Sequence, residues 1–472
     1  MPTSTFKKSL SCLALGVVLP TAVLAEAPIL VTSSADAGDG SLRAALATAA
    51  ASDTPSHILI VSEGPIAIDT GLIYAGTAPL TVIGNGSTIQ SAGNATLLTA
   101  SQGADMTLSG LTLKGPGGYS IDARGDLDGA AGKGIFVDVR EDQTGMVSLT
   151  LSDVTVEDVA GHGIHISDCS LADDCGGGGG GAGQGSTASI SVDLSGVVVR
   201  GVGQGRFDAD GLRVDERGAG GIYMNAEDVL FTGVGADGVE LDEGQTGDIV
   251  VTVKNAEFLV NGDYCDPARL GSFMPAEPEG EFDEGAMAEA SIPGPITNSP
   301  DDRCFEREVD LYDDGTVEEY EFAIDVDDGF DIDEAGPGSI RAIVEDSVIT
   351  ANFDEGLDFD EEDGGNIELT LINVTADGNT DDGVKNSEEG AGDAIGVLVN
   401  VVTSNNGGVG VVFEEEDGGD THVSTLGGGS SGNDDGETGF EIVQDDEGAG
   451  SFVVLGTQVA DGTEIEGVSF DS

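Results

Sequence analysis

The sequence contains no tryptophan, and aromatic residues of any kind make up only 5% of it. Sugar-binding grooves usually stack saccharides on flat aromatic faces, so this poverty argues against one. Tyr223, Tyr264, Tyr312 and Tyr320 are left as its candidates. Positive charge is equally scarce: 17 Lys and Arg stand against 88 Asp and Glu, for a net charge of −71. Nucleic acid is thereby excluded as a partner, because neutralising phosphates needs the opposite sign. Anionic lipid surfaces are disfavoured for the same reason. Beyond the N-terminus no apolar stretch is long enough to span a bilayer.

The N-terminus itself reads as an export signal. Lys7 and Lys8 precede an apolar run over residues 10–24, and Val23-Leu24-Ala25 ends it with small residues at the cleavage positions. Residues 1–25 are therefore expected to be removed and the protein to act outside the cytoplasm, secreted or periplasmic. Cys12 sits at the start of the run and is not read as a lipid-attachment site. Export permits disulfides. Four cysteines remain, Cys169, Cys175, Cys265 and Cys304, and they allow three pairings. Cys169–Cys175 and Cys265–Cys304 are favoured, because each pair brackets a local loop insertion. Free thiols are the other reading.

The abundant features are glycine, with 75 residues, and acid. The acid is uneven: 20 of the 88 lie in residues 26–200 and 68 in 201–472. A general solubility bias would be spread evenly, so the second half needs a local explanation. One phrase supplies it: acid, Gly, apolar, any, apolar, acid, acid. It runs Asp210–Glu216, Asp237–Glu243, Asp328–Glu334 and Glu355–Glu361. Degenerate copies begin at Asp382, Val409 and Thr438, and a half copy over residues 466–471 closes the chain. Upstream, Gly161-His-Gly-Ile-His-Ile166 fits the same frame without the acids.

The step is 27 residues from Asp210 to Asp237 and from Asp328 through Glu355 and Asp382 to Val409, with 91 between Asp237 and Asp328. A fixed period of this length marks a solenoid, and long insertions at a turn are what solenoids tolerate. The expectation is all-β: a right-handed parallel β-helix over 56–472, preceded by a strand and capping helix over 26–55. A Gly-rich insertion is expected near 169–188, and a longer, disulfide-bracketed one near 262–325. Within the latter, residues 309–320 read as a β-hairpin with a Gly turn. Apolar alternation places Leu212 and Val214 inward and Arg213 and Asp215 outward. A second column keeps register ten residues before the repeat Gly: Asp153, Asp228, Asp346, Asn373 and Asn400, with Asn255 in the same place just before the insertion. Stacked amides there would hydrogen-bond along the helix axis.

The short alternating strands 80–86 and 106–113 resemble those of the pectin-lyase-like parallel β-helix proteins of bacterial secreted and surface type. The segment Asp39-Gly-Ser-Leu-Arg-Ala-Ala-Leu46 looks like the N-terminal segment with which many of them begin a capping helix. Ser41 suits an N-cap, and Leu42, Ala45 and Leu46 share a face. Many such relatives cleave acidic polysaccharides, with acidic residues holding calcium beside a basic residue that removes a proton next to a carboxylate. On that resemblance Arg213, Arg341 and Lys385 are the candidate bases, though each also reads as a charge partner of neighbouring acids. Gly161-His162-Gly163 matches a polygalacturonase motif and Asn379-Thr-Asp-Asp382 two others. Their order is reversed here and several coils separate them, so one site cannot contain all three. His162 and His165 read as surface or turn residues.

The acids carry the strongest functional signal. Coils stack about 4.8 Å apart, which aligns Asp215, Asp242, Asp333 and Asp360 in one outward column. Glu240, Asp331 and Asp358 form a second, and Asp237, Asp328 and Glu355 lie at the preceding turn. Two unit charges about 5 Å apart repel by roughly 0.8 kcal/mol in water and roughly 3 kcal/mol at an effective dielectric near 20. Salt screening, raised pKa values or bound cations would relieve this. Several hard carboxylate oxygens suit Ca²⁺, so divalent cations are the expected partners. A solvated face adapted to salt is the alternative. No familiar calcium loop is present: Asp325-Val-Asp-Asp-Gly329 has its Gly one place early, and Gly407–Phe413 lacks the acid of glycine-rich calcium repeats. A cation site would be built across coils. The function expected is binding, adhesion or surface structure rather than catalysis, with a polysaccharide or cell-surface ligand; the alternative is a polysaccharide lyase or related enzyme of acidic glycans, with calcium held by the stacked carboxylates.

Overall fold

The computed structural model describes residues 27–127, 131–169, 185–445 and 448–471. The expected signal segment and Cys175 lie outside the described residues. No helix among them is long and apolar enough to cross a membrane.

Alternating apolar residues followed by Gly turns produce short strands, and each strand pairs in parallel with its counterpart one coil away. The result is a right-handed parallel β-helix. One stack holds twelve strands, among them Ile135–Asp138, Ile164–Ser167, Leu212–Glu216, Val239–Glu243, Phe330–Glu334, Leu357–Glu361, Lys385–Glu388 and Val411–Glu415. The rest of each coil belongs to a long second sheet, with strands such as Thr144–Glu157, Ile222–Thr232 and Ile249–Leu259. Leu212 pairs with Val239, Val239 with Phe330 and Phe330 with Leu357, so the repeat phrases stack residue on residue. Ile164 pairs with Leu212, which confirms that the histidine-containing phrase shares their frame. The half copy at the C-terminus does not: Val468–Asp471 pairs with Gly450–Val453 in the long sheet, and Gly462–Glu466 ends the twelve-strand stack instead. The final coil is shorter than 27 residues, so the phrase at 466 arrives one strand late.

The interior is a single column of apolar side chains. Phe231, Phe258, Phe330 and Phe359 are fully buried and stack with ring centres 5.7, 5.5 and 5.7 Å apart. Each such side chain contributes about 1.5–3 kcal/mol by leaving water.

The Asn/Asp column has a second cause besides stacking. Asp153, Asp228, Asn255, Asp346, Asn373 and Asn400 all have φ between 51° and 57°. They form the left-handed corner at which the long-sheet strands bend, and Asn and Asp tolerate that conformation best after Gly. The amides also bond along the axis, Asn373 Nδ2 to Asp346 Oδ1 at 2.8 Å and Asn400 Nδ2 to Asn373 Oδ1 at 3.1 Å. A second amide column is wholly buried: Asn261, Asn352, Asn379, Asn406 and Asn433 pass one Nδ2–H···Oδ1 bond per coil at 2.8–3.0 Å. Asn379, half of a motif match in the sequence, is thus a structural amide.

Ser41 accepts a hydrogen bond from Ala44 N and opens the helix Leu42–Ala50, whose Leu42, Ala45, Leu46 and Ala49 join the apolar core. The long excursion leaves after Gly262 and returns at Asp325. It carries an antiparallel three-stranded sheet, Glu279–Glu281, Phe305–Leu311 and Val317–Ile324, with the expected turn at Gly315. Cys265 and Cys304 form a disulfide with Cα atoms 5.5 Å apart. Around it Tyr264 and Leu270 pack on Ile121 and Phe207, so the excursion folds back over earlier coils.

Candidate functional site

One outward column of the twelve-strand stack reads Phe136, His165, Arg213, Glu240, Asp331, Asp358, Lys385. The next reads Asp138, Ser167, Asp215, Asp242, Asp333, Asp360, Ser387. Both columns predicted from the repeat are therefore formed. Although outward, most of these side chains are buried: Asp215 and Asp242 are at most 1% exposed and Arg213, Glu240 and Asp358 between 6% and 8%. The excursion is rooted beside them, at Asp325, Asp327 and Asp328. Neighbouring turns line up along the same edge, with Asp354 N bonding Asp327 O and Asp381 N bonding Asp354 O.

Bases close the two ends of the acid stretch. Arg213 Nε donates to Asp215 Oδ1 at 2.8 Å and Nη2 to Asp242 Oδ2 at 2.7 Å. Its Nη1 reaches Glu240, Asp208 Oδ1 at 3.1 Å and Asp210 Oδ2 at 3.5 Å. Arg217 adds a second donor to Asp242 at 2.5 Å. At the other end Lys385 Nζ lies 2.8 Å from Asp358 Oδ2 and 3.7 Å from Glu355 Oε1. Arg341 does not join them. It pairs with Asp248 at 2.8 Å and Glu368 at 3.5 Å on the long sheet.

Between these ends carboxylate oxygens converge. Ligand atoms lie within 4.8 Å of one another in Asp237–Glu240–Asp331, Glu240–Asp242–Asp333 and Asp328–Glu355–Asp358, and also in Asp208–Asp210–Glu240 and Asp354–Glu355–Asp381. Several oxygens have no hydrogen-bond donor although buried: Asp210 Oδ1, Asp242 Oδ1, Asp358 Oδ1 and Asp360 Oδ1. A buried carboxylate oxygen without a partner carries its full desolvation cost. Burial first, and then neighbouring acids, push Asp237, Asp328, Asp331 and Asp360 well above the usual carboxylate range. Burial also raises Glu240 against the pull of Arg213. A divalent cation would invert that balance.

The histidines are not surface residues. His162, at the turn ahead of the strand Ile164–Ser167, and His165, on that strand, are 5% and 8% exposed. His165 Nε2 lies 2.6 Å from Asp215 Oδ2, and its Nδ1 contacts Lys133 Nζ. With Lys133 donating to Nδ1, Nε2 carries the proton and donates to Asp215. Asp210 N donates to His162 Nδ1 at 3.1 Å. Burial, reinforced by the charge of Lys133, lowers His165 to about 4, and burial lowers Lys133 to about 7. Lys133 was invisible in the sequence, since it lies outside the repeat phrase. Asp208, Asp210, Asp354 and Asp381 also belong to the clusters. Asp210 is the first letter of a phrase, and the others sit at turns, where an acid alone carries no signal. Tyr264 and Tyr320 are buried, which removes them as sugar platforms; Tyr223 is on the long sheet.

The last acid of each phrase points inward. Glu216, Glu243, Glu334, Glu361, Glu388 and Glu415 are all fully buried. Turn N–H groups hold them: Gly247 N, Gly338 N and Gly392 N donate to Glu243, Glu334 and Glu388 at 3.0, 3.2 and 2.8 Å. Burial, then hydrogen bonding to the glutamates above and below, raises Glu334 to about 11.

No protein-family model matches the sequence, and no curated protein is similar to it. Among solved structures, the chain is similar to the A-module of mannuronan C-5 epimerase AlgE4 from Azotobacter vinelandii, at 14% identity and a TM-score of 0.44, over 93% of this chain and 95% of that one. The AlgE6 A-module from the same organism gives 12% and 0.40 over 93% and 97%. PfbA, a surface adhesin of Streptococcus pneumoniae, gives 10% and 0.30 over 94% and 93%.

Proposed function

We propose that this protein is an exported β-helix that holds calcium along one acidic edge and acts in binding, adhesion or surface structure, without catalysis. The observation that carries this reading is the convergence of Asp237, Glu240, Asp242, Asp331 and Asp333, with Asp242 Oδ1 buried among them and reached by no protein donor. Calcium accepts six to eight oxygen ligands in flexible geometry, which suits carboxylates supplied by successive coils. The ligand chemistry expected is a polyanionic glycan or cell-surface group that shares the calcium. Arg213 and Lys385 act as counter-charges, and Arg341 lies on another face.

A second reading, an enzyme that modifies acidic glycans, is favoured by one observation. Lys133 and His165 are both biased toward their neutral, basic forms beside Asp215 and Arg213. In that reading they, rather than Arg213, Arg341 or Lys385, would remove the proton. Retention on immobilised polyuronate tests both. The binding reading expects retention in calcium, release by chelator and recovery of chemically unchanged glycan. Glycan that is cleaved or epimerised by the wild type and not by Lys133→Met would replace it with the enzyme reading.

A further inference from the structure

Each of the five acid clusters among the described residues has at least one member in contact with Arg213, Arg217 or Lys385, but only one of them is contacted at every member. Arg213 Nη1 reaches Asp208, Asp210 and Glu240, which are all three members of the first cluster. Lys385 Nζ reaches Asp358 and Glu355, two members of the cluster completed by Asp328. Glu240 and Glu355 are shared: Glu240 belongs also to the clusters with Asp237 and Asp331 and with Asp242 and Asp333, and Glu355 also to the one with Asp354 and Asp381.

We infer that Arg213 is a resident counter-ion occupying what is otherwise a cation site, and that Asp208, Asp210 and Glu240 are the ligands of that latent site. The inference rests on the calcium reading above. It is not carried by the acids alone. Asp210 is fully buried, and its Oδ1 has no donor even with Arg213 present, so the cluster keeps an oxygen that the guanidinium does not satisfy. A guanidinium is planar and its N–H groups point along fixed directions. A metal ion draws oxygens in from all sides. Removing the guanidinium leaves three carboxylates with ligand atoms within 4.8 Å of one another. Lys385 stands in the same relation to Asp328, Glu355 and Asp358, where Asp358 Oδ1 is the buried oxygen without a donor. Its single ammonium contacts Glu355 only at 3.7 Å. The lower cluster is therefore a cation site weakened by Lys385, whereas the upper is one blocked by Arg213.

The test counts calcium ions on the full-length exported chain by equilibrium dialysis at fixed ionic strength. Arg213→Gln is expected to bind one ion more than the wild type. Asp208→Asn, at a half-exposed position, is expected to leave the wild-type count unchanged but to abolish the extra ion in the Arg213→Gln background. Lys385→Gln is expected to keep the count and to tighten the weakest calcium by about tenfold, the effect of one removed unit charge worth ~1.4 kcal/mol. Lys385 is partly exposed, so this arm stands even where Arg213→Gln folds poorly. A wild type that binds calcium beside an Arg213→Gln chain with the same count, and a Lys385→Gln chain with the same affinity, would overturn this inference alone. A wild type that binds no calcium would remove the calcium reading on which it rests.

Discussion

The same outward column passes through two different worlds. In the early coils it presents Ile73, Thr99 and Phe136; in the later ones Glu240, Asp331 and Asp358, with Lys385 at the end. The backbone pairing is identical throughout, parallel and residue on residue. The fold therefore does not need acids at this position, and their repulsion would weaken it. Ile73 stands 56% exposed, at ease on an open face. Glu240 and Asp358 are buried and tied to bases. The contrast teaches that the acids belong to what the later coils do, not to how they stack.

The largest effect should come from the joint between the two regions. Arg213→Ala strands Asp215, Asp242 and Glu240 in the interior without their main counter-charge, and loss of one member of a buried ion network costs about 3–5 kcal/mol. Ile73→Asp in the same column should cost under about 1 kcal/mol, since that position is open to water. Denaturant unfolding of the two variants sets the numbers side by side. Similar losses at both would mean that Arg213 is a surface residue in practice.

The two amide columns offer a smaller version of the same contrast. Asn379→Ala removes a buried link between Asn352 and Asn406 and should cost about 1–3 kcal/mol. Asn400→Ala, in the exposed corner column, should cost under about 1 kcal/mol. Denaturant midpoints of the two variants would decide it.

The smallest effect is a pH dependence set inside the helix. Burial, then a hydrogen bond to Glu361, raises Glu388 to about 8. A carboxyl raised above its unfolded value stabilises the fold fully below about pH 4.5 and loses that contribution as pH rises through about 8. Glu388→Gln should flatten this loss in melting temperature between pH 6 and 9. An unchanged slope would place the alkaline sensitivity elsewhere.

Much of this was legible in the sequence. The 27-residue step fixed the register of Asp242 over Asp215, and alternation separated Leu212 from Arg213. The same alternation, carried one residue further, points Glu216 inward, so the buried glutamates could have been read from the phrase itself. The buried amides recur at 27-residue steps too, but in turns of otherwise variable composition. What the sequence could not yield is cover. Alternation tells which face a side chain leaves, not whether a distant loop closes over it. His165 is buried among Phe136, His162, Lys133 and Asp215, a grouping that only the folded path shows.

The most direct test of the central claim is a thermal melt of the protein at fixed ionic strength, in calcium and then in chelator. The account predicts a rise in melting temperature specific to calcium, and its loss when Asp242, Asp333 and Asp360 are replaced together by Asn. Equal melting temperatures in calcium and in sodium of the same ionic strength would contradict it and leave the acids a solvated face.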